Sequence, residues 1–444
     1  MASLVTLPNE IGDLVFERLT TPDFIHLSET CKQLHMRTLP LAYKHLTLTW
    51  YNESEQTRKS PNIIELSSKF RSNPELQSSV RRLTLETSNC LTRTQEGELL
   101  VDIGGSERAN FYGAVGDVIR ECSQLERLDL SIVLMVEDSR WFENLMHGIR
   151  ESWTKNLKHV HLTRDNTTRE DWVPNQTIVQ QEFLKLLALP HAEVIKLDFF
   201  DPMDMEEYLE DEELARRNFW PWAQMKVSKQ LHTLRILCCP TPTVAFELIL
   251  SEASSLRVFD VESCQHPSCS IDLKTLKTGL DHVKGTLTHL RIRYGALDEV
   301  SSLRLAGSFD STCGSLGSFR NYNILTYLEV SLHILFGSRD SSKGIFYPLS
   351  AVLPPNLETL VITDDLQESN LYDDYFEHDD AMAIFERFFD GEWREATPQL
   401  KEFMHDLRKS GPYTFDYWDR KEKSDELMAL CEGQGIVGKV LRKS

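Results

Sequence analysis

Leu287-Thr288-His289-Leu290-Arg291-Ile292 is the stretch that decides the fold. Apolar and polar residues alternate through its second half, the pattern of a short strand with one buried face. The same hexad, apolar-x-x-apolar-x-apolar, recurs on both sides. Upstream it reads Leu256-Arg257-Val258-Phe259-Asp260-Val261, Leu231-His232-Thr233-Leu234-Arg235-Ile236, Val194-Ile195-Lys196-Leu197-Asp198-Phe199, Leu157-Lys158-His159-Val160-His161-Leu162, Leu125-Glu126-Arg127-Leu128-Asp129-Leu130 and Val80-Arg81-Arg82-Leu83-Thr84-Leu85. Downstream it reads Leu325-Thr326-Tyr327-Leu328-Glu329-Val330 and Leu357-Glu358-Thr359-Leu360-Val361-Ile362. Tyr43-Lys44-His45-Leu46-Thr47-Leu48 is a worn first copy and Leu400-Lys401-Glu402-Phe403 a worn last one.

A unit that recurs every few tens of residues marks a solenoid. Segments between hexads, such as 113–122 and 182–189, carry helix-forming patterns, so each unit reads as strand, loop, helix. The predicted fold class is α/β, with a concave parallel sheet. Spacing is uneven, closest from Leu231 to Leu256 and widest from Val80 to Leu125. In such a unit the apolar positions point inward and the residues between them face the open side of the sheet. That face is predicted to bind a target through His159, His161, Lys196, Arg235, Asp260, His289, Arg291, Arg293, Tyr327 and Glu329. Arg291 and Arg293, beside Arg235 and His289, are expected to form a basic stripe that takes a carboxylate or phosphate of the target.

The totals agree with an array. At 444 residues the chain exceeds one compact core. Hydrophobic residues at 41% and charged residues at 26% are those of a folding chain rather than a disordered one. Asp and Glu number 68 against 48 Lys and Arg, a net charge of −20, which argues against attraction to nucleic acid or to an anionic membrane. No run approaches the length of about eighteen apolar residues that a spanning helix needs, and the first basic residue is Arg18. Nine scattered cysteines fit reduced thiols, so the expected location is intracellular, in cytoplasm or nucleus.

The first fifty residues differ from the repeats. Leu7-Pro8-Asn9-Glu10 opens a helix whose Ile11, Leu14, Val15 and Leu19 make one apolar stripe. Thr21-Pro22-Asp23 reads as an N-cap followed by a first-turn proline and acid, restarting a helix with Phe24 and Leu27. A third short helix would carry Cys31, Leu34 and His35. Three helices in so few residues bury too little surface to stand alone, and domains of this size borrow stability from a partner.

Leu7-Pro8-x-Glu10-Ile11, Leu14-Val15, Leu19, Asp23-Phe24, Leu27-Ser28 and Thr30-Cys31-Lys32 resemble the F-box motif in order and spacing. The continuation Leu39-Pro40-Leu41-Ala42-Tyr43 is similar to the segment joining F-box to repeats in fungal-type F-box proteins, and the hexads resemble degenerate leucine-rich repeats. The resemblance implies a substrate receptor of an SCF-type (Skp–cullin–F-box) ubiquitin ligase that directs a target to proteasomal degradation, or an F-box complex with a scaffolding role. It further implies that Leu7, Pro8, Ile11, Leu14, Val15 and Leu19 contact a Skp-family adaptor, and through it a cullin–RING scaffold. Asp23, Phe24, Leu27, Cys31 and Lys32 would support that interface. The expected organisation is an F-box over 1–50, the solenoid over 51–410, and a cap with a flexible tail over 411–444, closed by Tyr413, Phe415, Tyr417 and Trp418.

No catalytic residue, cofactor or metal is expected. Gly433-Gln434-Gly435-Ile436-Val437-Gly438-Lys439 matches glycine-rich phosphate patterns, but only five residues follow it and Val440 stands where a Ser or Thr is required. Cys264, His266 and Cys269, with Cys238 and Cys239 upstream, lack the paired spacing of a zinc site. The acid-rich stretches 201–213 and 364–380 are expected as solvated loops, and Phe219-Trp220-Pro221-Trp222 as a plug between repeats.

Overall fold

A computed structural model describes residues 15–16, 18–49, 63–86, 92–93, 99–100, 105–132, 156–164, 186–198, 226–237, 243–264, 271–295, 312–337, 348–364, 378–408, 418 and 420–442. Outside them lie Leu7, Pro8, Ile11 and Leu14, the acidic run 201–213, Phe219 to Trp222, Cys238, Cys239, His266, Cys269, Tyr413, Phe415 and Tyr417. The chain divides into two compact units, Met1–Ala192 and Glu193–Ser444.

The first unit begins with helices α1 (Thr21–Thr30) and α2 (Lys32–Ala42). Strand β1 (His45–Thr49), helices α3 (Ile63–Ser72) and α4 (Pro74–Ser79), and strand β2 (Arg82–Glu86) follow. Helix α5 (Gly105–Glu121) then leads to β3 (Arg127–Ile132) and β4 (His159–Arg164). These four strands pair in sequence order, all parallel. Local chemistry sets the helix limits. Pro74 occupies the first turn of α4, where no N–H is needed, and Asn73 accepts from the Leu76 N–H at 3.4 Å.

Among the described residues of the second unit, eight strands belong to the main sheet, β5 (Val194–Asp198), β6 (Thr233–Leu237), β7 (Val258–Cys264), β8 (His289–Gly295), β9 (Tyr327–Ser331), β10 (Thr359–Thr363), β11 (Glu402–Asp406) and β12 (Val437–Leu441). All pair in parallel with their sequence neighbours. Between them run helices α6 (Thr243–Glu252), α7 (Leu273–Val283), α8 (Leu332–Phe336), α9 (Leu349–Val352), α10 (His378–Arg387), α11 (Trp393–Ala396) and α12 (Lys421–Gly433). A π-helical segment, Phe388–Glu392, joins α10 to α11 and turns at Gly391, where φ is +121°.

One backbone device repeats at the strand entrances. Arg81 and Arg82 both donate to the carbonyl of Lys44, Glu126 and Arg127 to Arg81, and Lys158 and His159 to Glu126. In the second unit Thr288 and His289 donate to Arg257, Thr326 and Tyr327 to Thr288, and Glu358 and Thr359 to Thr326, all at 2.8 to 3.1 Å. Each carbonyl thus takes two successive N–H groups of the next repeat, which locks neighbouring strands residue for residue and satisfies donors that would otherwise need water.

In-register strands stack like residues into rows. Ile195, Leu234, Phe259, Leu290, Leu328, Leu360 and Phe403 form one fully buried row of the second unit. Leu83, Leu128 and Val160 do the same in the first. The apolar hexad positions therefore build the core, as their spacing predicted.

Helices cover that core closely. Asp272 caps α7 by accepting from Lys274 N–H at 3.0 Å and Thr275 N–H at 3.3 Å, and Leu273, Leu276, Leu280 and Val283 form its buried stripe. Gly279 lies on the same stripe, and a Cβ there would stand 2.8 Å from the Glu247 Cα of α6. Gly279→Ala should therefore lower stability by about 1–3 kcal/mol, because a backbone atom cannot yield as a side chain does. A urea titration checks the sign. A rise in the unfolding midpoint, the ordinary result of Gly to Ala in an uncrowded helix, would show that the two helices can separate at no cost.

Three local expectations change. The N-cap of α1 is Thr20, one residue before the expected Thr21. Cys31 is extended backbone between α1 and α2 rather than part of a helix. The stretch 437–441, expected as tail, is strand β12. Among the described residues it pairs on one side only, with β11, and Val437 is 54% exposed, so it needs no alternating core residues and leaves little pattern in the sequence. Trp418, assigned to the cap, is fully buried against His405, with ring centroids 4.5 Å apart.

Candidate functional site

The helical pair at the start of the first unit buries Phe16, Phe24 and Leu34, with Leu19, Leu27, Leu41 and Ala42 partly buried against them. Phe16 and Phe24 meet edge to face at 6.3 Å, and the Arg37 guanidinium lies 5.2 Å over the Phe16 ring. Asp23 works locally: its carboxylate accepts from the Thr20 N–H at 2.8 Å and the Thr20 hydroxyl at 2.6 Å, which lowers its pKa. Cys31 and Lys32 are exposed. Beyond this small core, Val15, Ile25 and Met36 stand 36%, 48% and 66% exposed. Ile25 and Met36 were not singled out in the sequence, because neither lies on the stripe that the helical periodicity marks.

On the open side of the second unit's sheet, Arg235, Asp260, Arg291 and Glu329 stand in one row of alternating sign across β6 to β9. Each cation is already shared. Arg235 lies 3.3 Å from Asp260 and 3.8 Å from Asp198. Arg291 reaches Asp260 at 2.8 Å, Glu262 at 3.1 Å and Glu329 at 2.7 Å. Arg293, expected on an accessible stripe, is buried between Glu329 and Asp406. Asp406 also accepts from Arg408 at 2.7 Å. His289 stacks on Tyr327 at 3.9 Å between centroids, and the Tyr327 hydroxyl donates to Glu329.

The electrostatics follow from this crowding. Burial alone would raise the carboxyl of Glu329, but Arg293, the Tyr327 hydroxyl and Arg291 outweigh it and hold the group below its ordinary range. Asp406 is likewise raised by burial yet pulled well below by Arg408 and Arg293. The predicted basic stripe is therefore met by carboxylates of the chain itself. Glu262, Asp406 and Arg408 complete it. For Asp406 the signal was the alternation Phe403-Met404-His405-Asp406 in the worn last repeat. Lys196 sits one strand outward from Arg235 in the same row.

His159 and His161 belong to the first unit. There Asp129 is the anionic centre, accepting from Arg82 at 3.0 Å and Arg127 at 2.8 Å, with the His161 ring nitrogen at 3.7 Å. Burial pushes its carboxyl up, while His161, Arg127 and Arg82 bring it well below the usual range. Lys44, His45, Arg81, Arg82, Glu126, Arg127 and His159 line a cleft of roughly 520 Å³ at the strand entrances.

No family model matches the chain. No curated protein matches it either. Among solved structures, the crystal structure of the Rad7 and Elc1 complex in yeast is similar with a TM-score of 0.31 and 13% identity, over 76% of this chain and 72% of that one. At that similarity nothing about activity or partners transfers. Among the described residues, no helix is long and apolar enough to cross a membrane.

Proposed function

We propose that this protein is a non-enzymatic adaptor, whose opening helices dock on a Skp-family subunit of a cullin–RING ubiquitin ligase while the repeat strands hold a protein target. The observation that carries the reading is the exposure of Val15, just before the helical pair, and of Ile25 and Met36 on it, in a segment whose sequence resembles the F-box. So small a core gains by covering such side chains with a partner, at about 25 cal/mol for each Å² of apolar surface removed from water. The mechanism is proximity: a target and a ubiquitin-loaded enzyme held on one scaffold meet at high effective concentration, with no bond chemistry in this chain.

The test is co-purification with a Skp-family adaptor. Val15→Asp combined with Ile25→Asp places two carboxylates where the interface would desolvate them, at a cost of several kcal/mol. Capture should fall by about tenfold or more, with the circular dichroism spectrum unchanged because both side chains are exposed. Undiminished capture would remove the assignment. Assaying ubiquitin transfer to a captured partner in a reconstituted ligase then separates a degradative receptor from a scaffold.

A further inference from the structure

The two units treat charge differently. In the second unit, Arg235, Arg291 and Arg293 are met by Asp198, Asp260, Glu262, Glu329 and Asp406. In the first, His45, Arg82, Arg127 and His159 occupy one in-register row across β1 to β4, and therefore one face of the sheet. Lys44 and Arg81 stand immediately before that row. Among the described residues, four fixed cations, Lys44, Arg81, Arg82 and Arg127, gather there against Glu126 and Asp129. Arg81 is held only loosely to Glu126 at 3.7 Å, and also donates to the side chain of Gln124 at 2.8 Å. Arg82 and Arg127 share the single carboxylate of Asp129, and remain 43% and 44% exposed. The pKa of His45 is lowered by burial and then by Lys44 and Arg82, in keeping with the cations gathered beside it.

We infer that this cleft binds a short acidic peptide segment, with Arg82 and Arg127 receiving a carboxylate or a phosphate while Lys44 and Arg81 add charge at the rim. Asp129 orients the two guanidinium groups in advance, so less side-chain freedom is lost on binding. Four strands set about 4.8 Å apart give a row of roughly 14 Å, the span of four or so extended residues. A long polyanion fits poorly. It would run beyond the patch over a protein of net charge −20, and screening confines the local attraction to about 8 Å at physiological salt. The inference deepens the target-binding half of the proposed function and names the chemistry of the bound segment.

The experiment uses the full chain without any adaptor and a fluorescent peptide with phosphoserines set between glutamates, read by anisotropy. Companion peptides carry serine or glutamate at those positions, and an oligonucleotide of similar length is the fourth probe. Binding of the phosphorylated or all-glutamate peptide that weakens as salt rises, with the serine version weaker, is expected. The two acidic versions together tell whether phosphate or carboxylate suffices.

Lys44→Glu with Arg81→Glu leaves the Asp129 cluster in place and should weaken binding by about tenfold or more. Arg82→Gln with Arg127→Gln should do the same, and Lys401→Glu in the other unit should change nothing. No saturable binding of either acidic peptide at low salt, equal binding by the rim variant, or tighter binding of the oligonucleotide would each overturn the inference. Peptide binding does not depend on Skp capture, so the cleft can fail while the adaptor assignment stands, and the reverse.

Discussion

Arg293→Met should lower the stability of the second unit by about 3–5 kcal/mol, because it strands two buried carboxylates. Asp406 and Glu329 have side chains 0% and 5% exposed, and Arg293 itself is 3% exposed. Arg291 can still serve Glu329 at 2.7 Å and Arg408 can serve Asp406, yet neither replaces a cation lying between the two. The loss is expected as a lower urea midpoint followed by fluorescence that includes buried Trp418. Converting all three together, Arg293→Met with Glu329→Leu and Asp406→Leu, should recover much of it, since the cost lies in leaving charges unpaired and not in lacking the pair. Arg291 would keep Asp260 and Glu262 in that variant. By contrast, Lys401→Ala breaks an ion pair at 2.8 Å whose partners are 67% and 46% exposed, and should change stability by no more than about 1 kcal/mol. A single Arg293 variant as stable as the parent would show that water reaches these carboxylates.

The second large effect is with pH. Burial drives the imidazole of His333 down to about 3, so the folded unit keeps it neutral where an unfolded chain takes up a proton below about pH 6.5. The depressed folded value means that this contribution is complete above pH 6.5 and declines as acid is added. The slope is about 1.4 kcal/mol per pH unit for one proton. His289 shifts the same way, through burial and Arg291 against the opposing Asp260 and Glu329.

Below about pH 4 the carboxylates join in, since Asp406 and Glu329 are held beneath their ordinary values and their stabilisation is lost as pH falls through the folded-state pKa. Urea midpoints measured from pH 7.5 to 4 should therefore fall in the parent and fall less steeply in His333→Gln. Parallel profiles would mean that His333 takes no part.

Much of the fold could be read from hexads such as Leu256 to Val261 and Leu287 to Ile292. A strand's side chains alternate with period two, so the sequence alone placed Leu290 and Ile292 inward and Arg291 on the other face. The resemblance of the first fifty residues to the F-box was likewise visible in residue order. β12 was not, because an edge strand needs backbone partners on one side only and leaves little apolar pattern. Ile25 and Met36 were missed because exposure of an apolar side chain is a property of what packs around a helix.

What the sequence by itself determined is therefore the repeat, the class of fold and the face each strand residue occupies, all consequences of local backbone geometry. Only the tertiary structure decided which charges meet. Arg293 is joined to Asp406 from three strands away in the sheet, and Arg291 gathers acids from two neighbouring strands. Among the described residues, Asp129 answers both Arg82 and Arg127, and the first unit's strand entrances gather Lys44, Arg81, Arg82 and Arg127. Coulomb attraction depends on separation in space and on burial, and neither is written in the spacing of residues along the chain.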